Sequence, residues 1–131
     1  MHFLRSYGRL SKYFLMVQIK SFLLGVMFYF IGQIMTYYQL NGQFIWPWFK
    51  KNPLILALLG IPISLVFIWA TKNTVDAFNG FMWPQRFIGF ASGILIYAWG
   101  TSYYFGQPID TKTAVSLCIA LLLILIQLFW K

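Results

Sequence analysis

Two charge-free runs near the carboxyl end constrain the fold more than any other feature. Phe87 to Phe105 carries no charged residue across nineteen positions, and Thr113 to Trp130 none across eighteen. A helix rises about 1.5 Å per residue, so roughly 17–25 apolar residues span the hydrocarbon of a bilayer. Between the runs lies a short polar hinge, Gly106 to Lys112. The pattern predicts a transmembrane hairpin. Composition agrees: 60% of the 131 residues are hydrophobic and 9% charged, about a third of the charge a soluble domain carries. One membrane domain over residues 1–131 is expected.

The formal charge is +8. In a soluble module that would suggest nucleic acid, but no basic stripe lies on a soluble unit here and no nucleic-acid partner is expected. In a membrane chain, cations sit in flanks and loops, where they set orientation and meet anionic lipid. The single cysteine, Cys118, has no partner for an intramolecular disulfide and reads as a small packing residue.

Met1 to Lys20 reads as an amphipathic basic segment. Arg5, Arg9, Lys12 and Lys20 fall within one ~80° sector of a helix at about 100° per residue, with Phe3, Leu4, Tyr7 and Leu10 among the apolar residues between them. Such a segment lies at the membrane surface or forms the wet end of the first span. A cleaved signal peptide fits less well, because no small-x-small site precedes a short apolar core. Four spans follow, near residues 21–40, 53–71, 86–105 and 113–130, giving an all-α membrane protein with four transmembrane helices. In the first, Gly25, Gly32 and Thr36 share a face that lets another helix approach closely. Gln33 lies on or beside that face and needs a partner within the protein, since lipid offers none. Residues 41–52 read as a turn, with Trp46, Trp48, Lys50 and Lys51 marking the membrane–water interface. Pro53 suits a first helical turn, and Gly60 and Pro62 predict a kink in the second span. The linker of residues 72–85 holds the breakers Asn79, Gly80 and Pro84. Arg86 opens the third span, whose Gly89-Phe90-Ala91-Ser92-Gly93 is a small-xxx-small contact motif, with Gly100 on much the same face.

With four spans, Arg5, Arg9, Lys12, Lys20, Lys72, Arg86 and Lys131 lie on one side and Lys50, Lys51 and Lys112 on the other. A seven-to-three excess puts both termini in the cytoplasm.

The stretch Tyr103-Tyr104-Phe105-Gly106-Gln107-Pro108-Ile109-Asp110, followed by a final apolar helix, resembles the end of the small multidrug resistance transporters. These carry a similar Phe-Phe-Gly-Gln-x-Leu-Asp turn between their third and fourth helices. Related halves of the drug/metabolite transporter superfamily have a comparable turn. Ile31-Gly32, Gly42 and Trp46-Pro47 resemble the family's first helix and loop more loosely. The resemblance is strongest over residues 86–130. It implies a four-helix transporter of small molecules or lipids in a bacterial inner (plasma) membrane, working as an oligomer.

The chain departs from that family in one chemical respect. Proton-coupled members depend on a glutamate in the first helix, and the corresponding place here falls at about Tyr29. No expected span contains an acid; Asp76 and Asp110 lie in loops. The charge bias also favours one fixed orientation over an antiparallel self-dimer. His2 stands alone, so no metal is expected. With no phosphate loop or nucleophile elbow, no enzyme activity and no cofactor are expected.

Two functional classes remain. In the first, the chain is a transporter whose cavity is lined by Tyr29, Gln33, Trp69, Tyr97 and Trp99, with Arg86 or Lys20 meeting an anionic group such as a lipid phosphate. In the second, it is a non-transporting helical subunit of a larger membrane complex. Membrane lipids are partners in both, and a homo-oligomer or other membrane subunits complete the set.

Overall fold

A computed structural model describes the backbone from His2 to Trp130 and the side chains from Gln18 to Trp130. The described residues form helices and no strand. The helices are α1 (His2–Ile45), α2 (Pro47–Lys51), α3 (Pro53–Leu58), α4 (Gly60–Ala77), α5 (Trp83–Phe105) and α6 (Thr111–Phe129). Three stretches are long and apolar enough to cross a membrane: Gln18–Ile45, Pro53–Ala77 and Thr111–Phe129. That is consistent with an integral membrane protein. The third expected span, now α5, has the length, at 23 residues, but Gln85, Arg86, its glycines and its tyrosines make it less apolar.

Burial points the same way. The interior holds Tyr29, Tyr37, Thr74 and Ser92, while Leu54, Leu58, Ile61 and Phe129 are among the most exposed side chains. In water so broad an exposed apolar surface would drive association. Against acyl chains it is the ordinary arrangement, with the polar groups turned inward to find partners.

Several boundaries differ from the expected ones. The first span and the basic segment before it belong to one unbroken helix of 44 residues, about 66 Å long at 1.5 Å per residue. No proline lies within it to break it. The disposition of the side chains of Arg5, Arg9 and Lys12 lies outside the described residues. At its far end α1 runs on to Ile45, five residues past the expected limit, and the turn of residues 41–52 shrinks to the joints around α2. The second span is divided at Leu59, where α3 gives way to α4. Pro62 is the cause: with no N–H it cannot donate to the Leu58 carbonyl, and the Leu59 N–H is shared between the carbonyls of Leu56 and Ile55 at 3.2 and 3.4 Å. α4 continues to Ala77 and ends in a Schellman turn. There the Gly80 N–H donates to the Val75 carbonyl at 2.9 Å, and Asn79 and Gly80 take φ values of 56° and 86°.

The helices alternate in direction. α1 runs antiparallel to α4, with Gly25 against Thr74, Gly32 against Phe67 and Gln39 against Gly60. α1 runs parallel to α5, with Tyr29 against Gly89, Gln33 against Gly93 and Tyr37 against Gly100. Gly106 closes α5 in the left-handed region at φ 60°. Asp110 caps α6, its Oδ1 accepting from the Thr113 N–H at 2.8 Å. Among the described residues, α6 packs on α5 and on no other helix. α1 is therefore the central helix, flanked by α4 and α5.

Candidate functional site

The site follows from the α1–α5 contact. Tyr29, Gln33 and Tyr37 are spaced by four, so they form one row on α1. Opposite them α5 offers Gly89, Gly93 and Gly100. A Cβ built on Gly89 would meet the Tyr29 ring at 3.2 Å, one on Gly93 the Gln33 amide at 3.1 Å, and one on Gly100 the Tyr37 ring at 2.5 Å. The small residues of α5 thus seat large side chains from α1.

Each member of the row finds a polar partner. The Tyr29 hydroxyl donates to Gln85 Oε1 at 2.6 Å and lies 3.1 Å from Thr71 Oγ1. A phenol has one proton, so Thr71 is the donor in the second bond. Gln33 Nε2 donates to the Gly89 carbonyl at 3.0 Å, the interhelical bond its position in a span requires. The Tyr37 hydroxyl lies 3.4 Å from Thr101 Oγ1.

Two clefts flank this row. The first, of about 380 Å³, lies between α1, α4 and α5 and is lined by Tyr29, Gln33, Thr71, Gln85, Arg86 and the rings of Phe67 and Phe90, among others. Among the described residues, Arg86 is its only charged lining residue. The second, of about 530 Å³, lies between α1, α5 and α6. Its lining includes Thr36, Tyr37, Asn41 and Tyr97 beside the apolar Ile94 and Leu117. Gln33, Gly89 and Phe90 line both, so the two adjoin on either side of the Gln33–Gly89 hydrogen bond. Thr36 Oγ1 is buried and has no hydrogen-bond partner among the described residues.

The structure brings Tyr29, Gln33 and Arg86 together in the first cleft and Gln33 with Tyr97 in the second. Trp69 and Trp99 line neither. Trp69 is 47% exposed and leans on the Phe28 ring at 6.0 Å. Trp99 is 49% exposed and stacks on Tyr103 at 5.8 Å. Lys20 lies on the outer surface of α1 beside Leu23 and Met27. The sequence reading missed Thr71, Gln85, Thr36 and Tyr37. For Gln85 a signal existed: Trp83-Pro84 is a helix start with proline in the first turn, which carries Gln85 into α5 instead of leaving it in a linker.

Among the described residues, no three His, Cys, Asp or Glu side chains come together as a metal site. No family model matches this chain, and neither do any curated proteins or solved structures.

Proposed function

We propose that this chain is a small membrane carrier for amphiphilic small molecules or lipids, of the drug/metabolite-transporter type that its Gly106–Asp110 turn resembles. The observation that carries the reading is the pair of adjoining clefts that share Gln33, Gly89 and Phe90 in their linings, one lined by polar groups and the other mostly apolar. Ligand sites in membrane bundles form where polar groups face the interior between helices. On this reading all four long elements cross the bilayer. α5 lies alongside α1 and α6, and shielding by both neighbours lets it carry glycines and polar groups that lipid would penalise. The Gln18 amide donates to Asn79 Oδ1 at 2.8 Å, which ties the α4–α5 turn to the level of Lys20. That end, with Lys72 and Arg86, is the cytoplasmic one, the membrane being a bacterial inner membrane and both termini cytoplasmic.

Coupling to protons through a carboxylate of its own is not part of this proposal. Among the described residues no acid lines either cleft, and a glutamine amide is not an ionisable group. The carrier is then a facilitator or uses an acid from a partner. The test is flux in liposomes holding the purified full chain, with cationic, neutral and anionic fluorescent amphiphiles outside and a pH-sensitive dye inside. Protein-dependent movement of one class without proton flux is expected. Absence of movement for every class overturns the carrier reading, and proton flux coupled to substrate overturns the coupling claim.

The competing reading is a non-transporting subunit of a larger complex. It is favoured by α6, which among the described residues leans on α5 alone and exposes Val115, Ile119, Leu122 and Ile126. Size in mild detergent separates the two. A monomer or homodimer supports the carrier, and stoichiometric co-purification with other membrane subunits supports the complex.

A further inference from the structure

We propose that the first cleft binds the anionic headgroup of a membrane amphiphile, an oxyanion such as a phosphate or carboxylate, with the tail lying in the second cleft. This rests on the carrier reading for the place of the ligand but not for its movement.

The polar inventory of the cleft selects the charge. Gln85 Oε1 is already taken by the Tyr29 hydroxyl, and the Tyr29 oxygen by Thr71. Gln33 spends an amide N–H on the Gly89 carbonyl. What remains for a ligand is the Gln85 NH₂, which has no partner among the described residues, the second N–H of Gln33, the Arg86 guanidinium and one acceptor, the Gln33 Oε1, which lies on the Gly93 side. Donors predominate, and the charged group, a guanidinium, has no acceptor at all. No carboxylate lines the cleft to compensate Arg86. A fork of N–H groups on a delocalised cation matches the two oxygens of a carboxylate or phosphate. The same cation repels a cationic ligand, so the rings of Tyr29, Phe67 and Phe90 do not serve as a cation cage here. Arg86 also stands in the first turns of α5, where the helix dipole adds to its field.

The second cleft supplies room for a tail. It begins at Gly89 and Phe90, next to Arg86, and reaches Tyr97. Arg86 to Tyr97 is eleven residues of α5, or ~16 Å at 1.5 Å per residue.

The experiment is native mass spectrometry of the detergent-solubilised full chain, titrated separately with lysophosphatidic acid, oleate, lysophosphatidylcholine and inorganic phosphate. Lysophosphatidic acid and oleate are expected to bind in preference to lysophosphatidylcholine, and inorganic phosphate not to bind. Arg86→Gln is expected to weaken the two anionic amphiphiles roughly five- to tenfold, with Arg86→Lys retaining part of the binding and Lys72→Gln leaving it unchanged. Equal binding of lysophosphatidylcholine, or equal losses in Arg86→Gln and Lys72→Gln, overturns the site. Inorganic phosphate binding as tightly as lysophosphatidic acid overturns the amphiphile and leaves a free-oxyanion site. Should Arg86→Gln lose helicity by circular dichroism, Gln85→Glu is the second variant. It puts a negative charge against the same ligand, and unchanged anion binding there overturns the site. Arg86-dependent binding without flux in liposomes supports this site and overturns the carrier reading. Flux without any anion preference does the reverse.

Discussion

The hydroxyl of Tyr29 joins three helices: it sits on α1, accepts from Thr71 on α4 and donates to Gln85 on α5. Tyr29 is only 4% exposed, so no water replaces the hydroxyl cheaply. Tyr29→Phe is expected to cost about 1–2 kcal/mol, read as a lower midpoint in SDS-titration unfolding followed by circular dichroism. An unchanged midpoint would mean that the three groups have other partners. Asp110 acts at the other end of the molecule. The Thr113 backbone N–H, and then the Thr113 side chain, hold its carboxyl below the usual range. Because the folded value is the lower one, the cap contributes fully above the unfolded pKa near ~3.9 and is lost as pH falls through the folded value. Stability is therefore expected to be flat with respect to this group from about pH 5 upward. Thermal scans of Asp110→Asn, which can cap without titrating, should lose less on acidification below about pH 4 than the wild type. At this scale the sequence was partly legible. A glutamine inside a span had to find a protein partner, and Gln33 does. Which of the many aromatics face inward was not legible, because Tyr29 and Trp69 differ only in the side of the helix they occupy. That side is fixed by the partner helix, not by the residue.

At the scale of the elements, the close packing of α1 on α4 depends on glycine. A Cβ on Gly25 would collide with the Thr74 hydroxyl and would stand 3.1 Å from the Thr74 backbone nitrogen and 3.3 Å from the Ala70 carbonyl. The side chain could turn away, but the backbone of α4 could not without separating the helices. Gly25→Ala is expected to destabilise by about 1–3 kcal/mol through overpacking, despite alanine's better helix propensity. A gain in stability in the same SDS titration would show that α4 is free to move outward. The shared face of Gly25 and Gly32, the kink at Pro62, the glycine face of α5 and the hinge at Gly106–Asp110 were all readable, since each rests on local spacing or on a residue with one backbone meaning. The continuity of α1 was left open. A separate surface segment and the wet end of the first span both fit the cations, which constrain only which side of a helix is wet and do not demand a break. The extension of α5 back to Trp83 was missed because charge, and not the Trp-Pro start, set the expected boundary at Arg86.

At the scale of the whole molecule, hydropathy and packing say different things about α5, and the difference bears on topology. By apolarity alone three stretches qualify as spans, which would leave the termini on opposite sides. By packing, α5 returns alongside α1 in the same direction and α6 comes back down its flank, an arrangement that fits the four crossings proposed above. The cations do not decide the number of crossings: Lys112 and Lys131 exchange sides between three and four, and the excess is seven to three either way. They bear only on which end is retained in the cytoplasm. On the four-crossing reading proposed above, the expected outcome is a cytoplasmic carboxyl terminus. A fluorescent protein that matures only in the cytoplasm should be bright when fused after Lys131, and alkaline phosphatase at the same place should be inactive. Fused within the α5–α6 hinge, after Gln107, the two reporters should exchange behaviour. Phosphatase activity after Lys131 together with none after Gln107 would fit either a reversed chain of four crossings or three crossings with α5 left at the cytoplasmic end, and the same reporters at the amino terminus would separate the two. Equal reporter behaviour at both places would show that α6 does not cross separately from α5, and the up–down arrangement of the four long elements in the bilayer would fall with it.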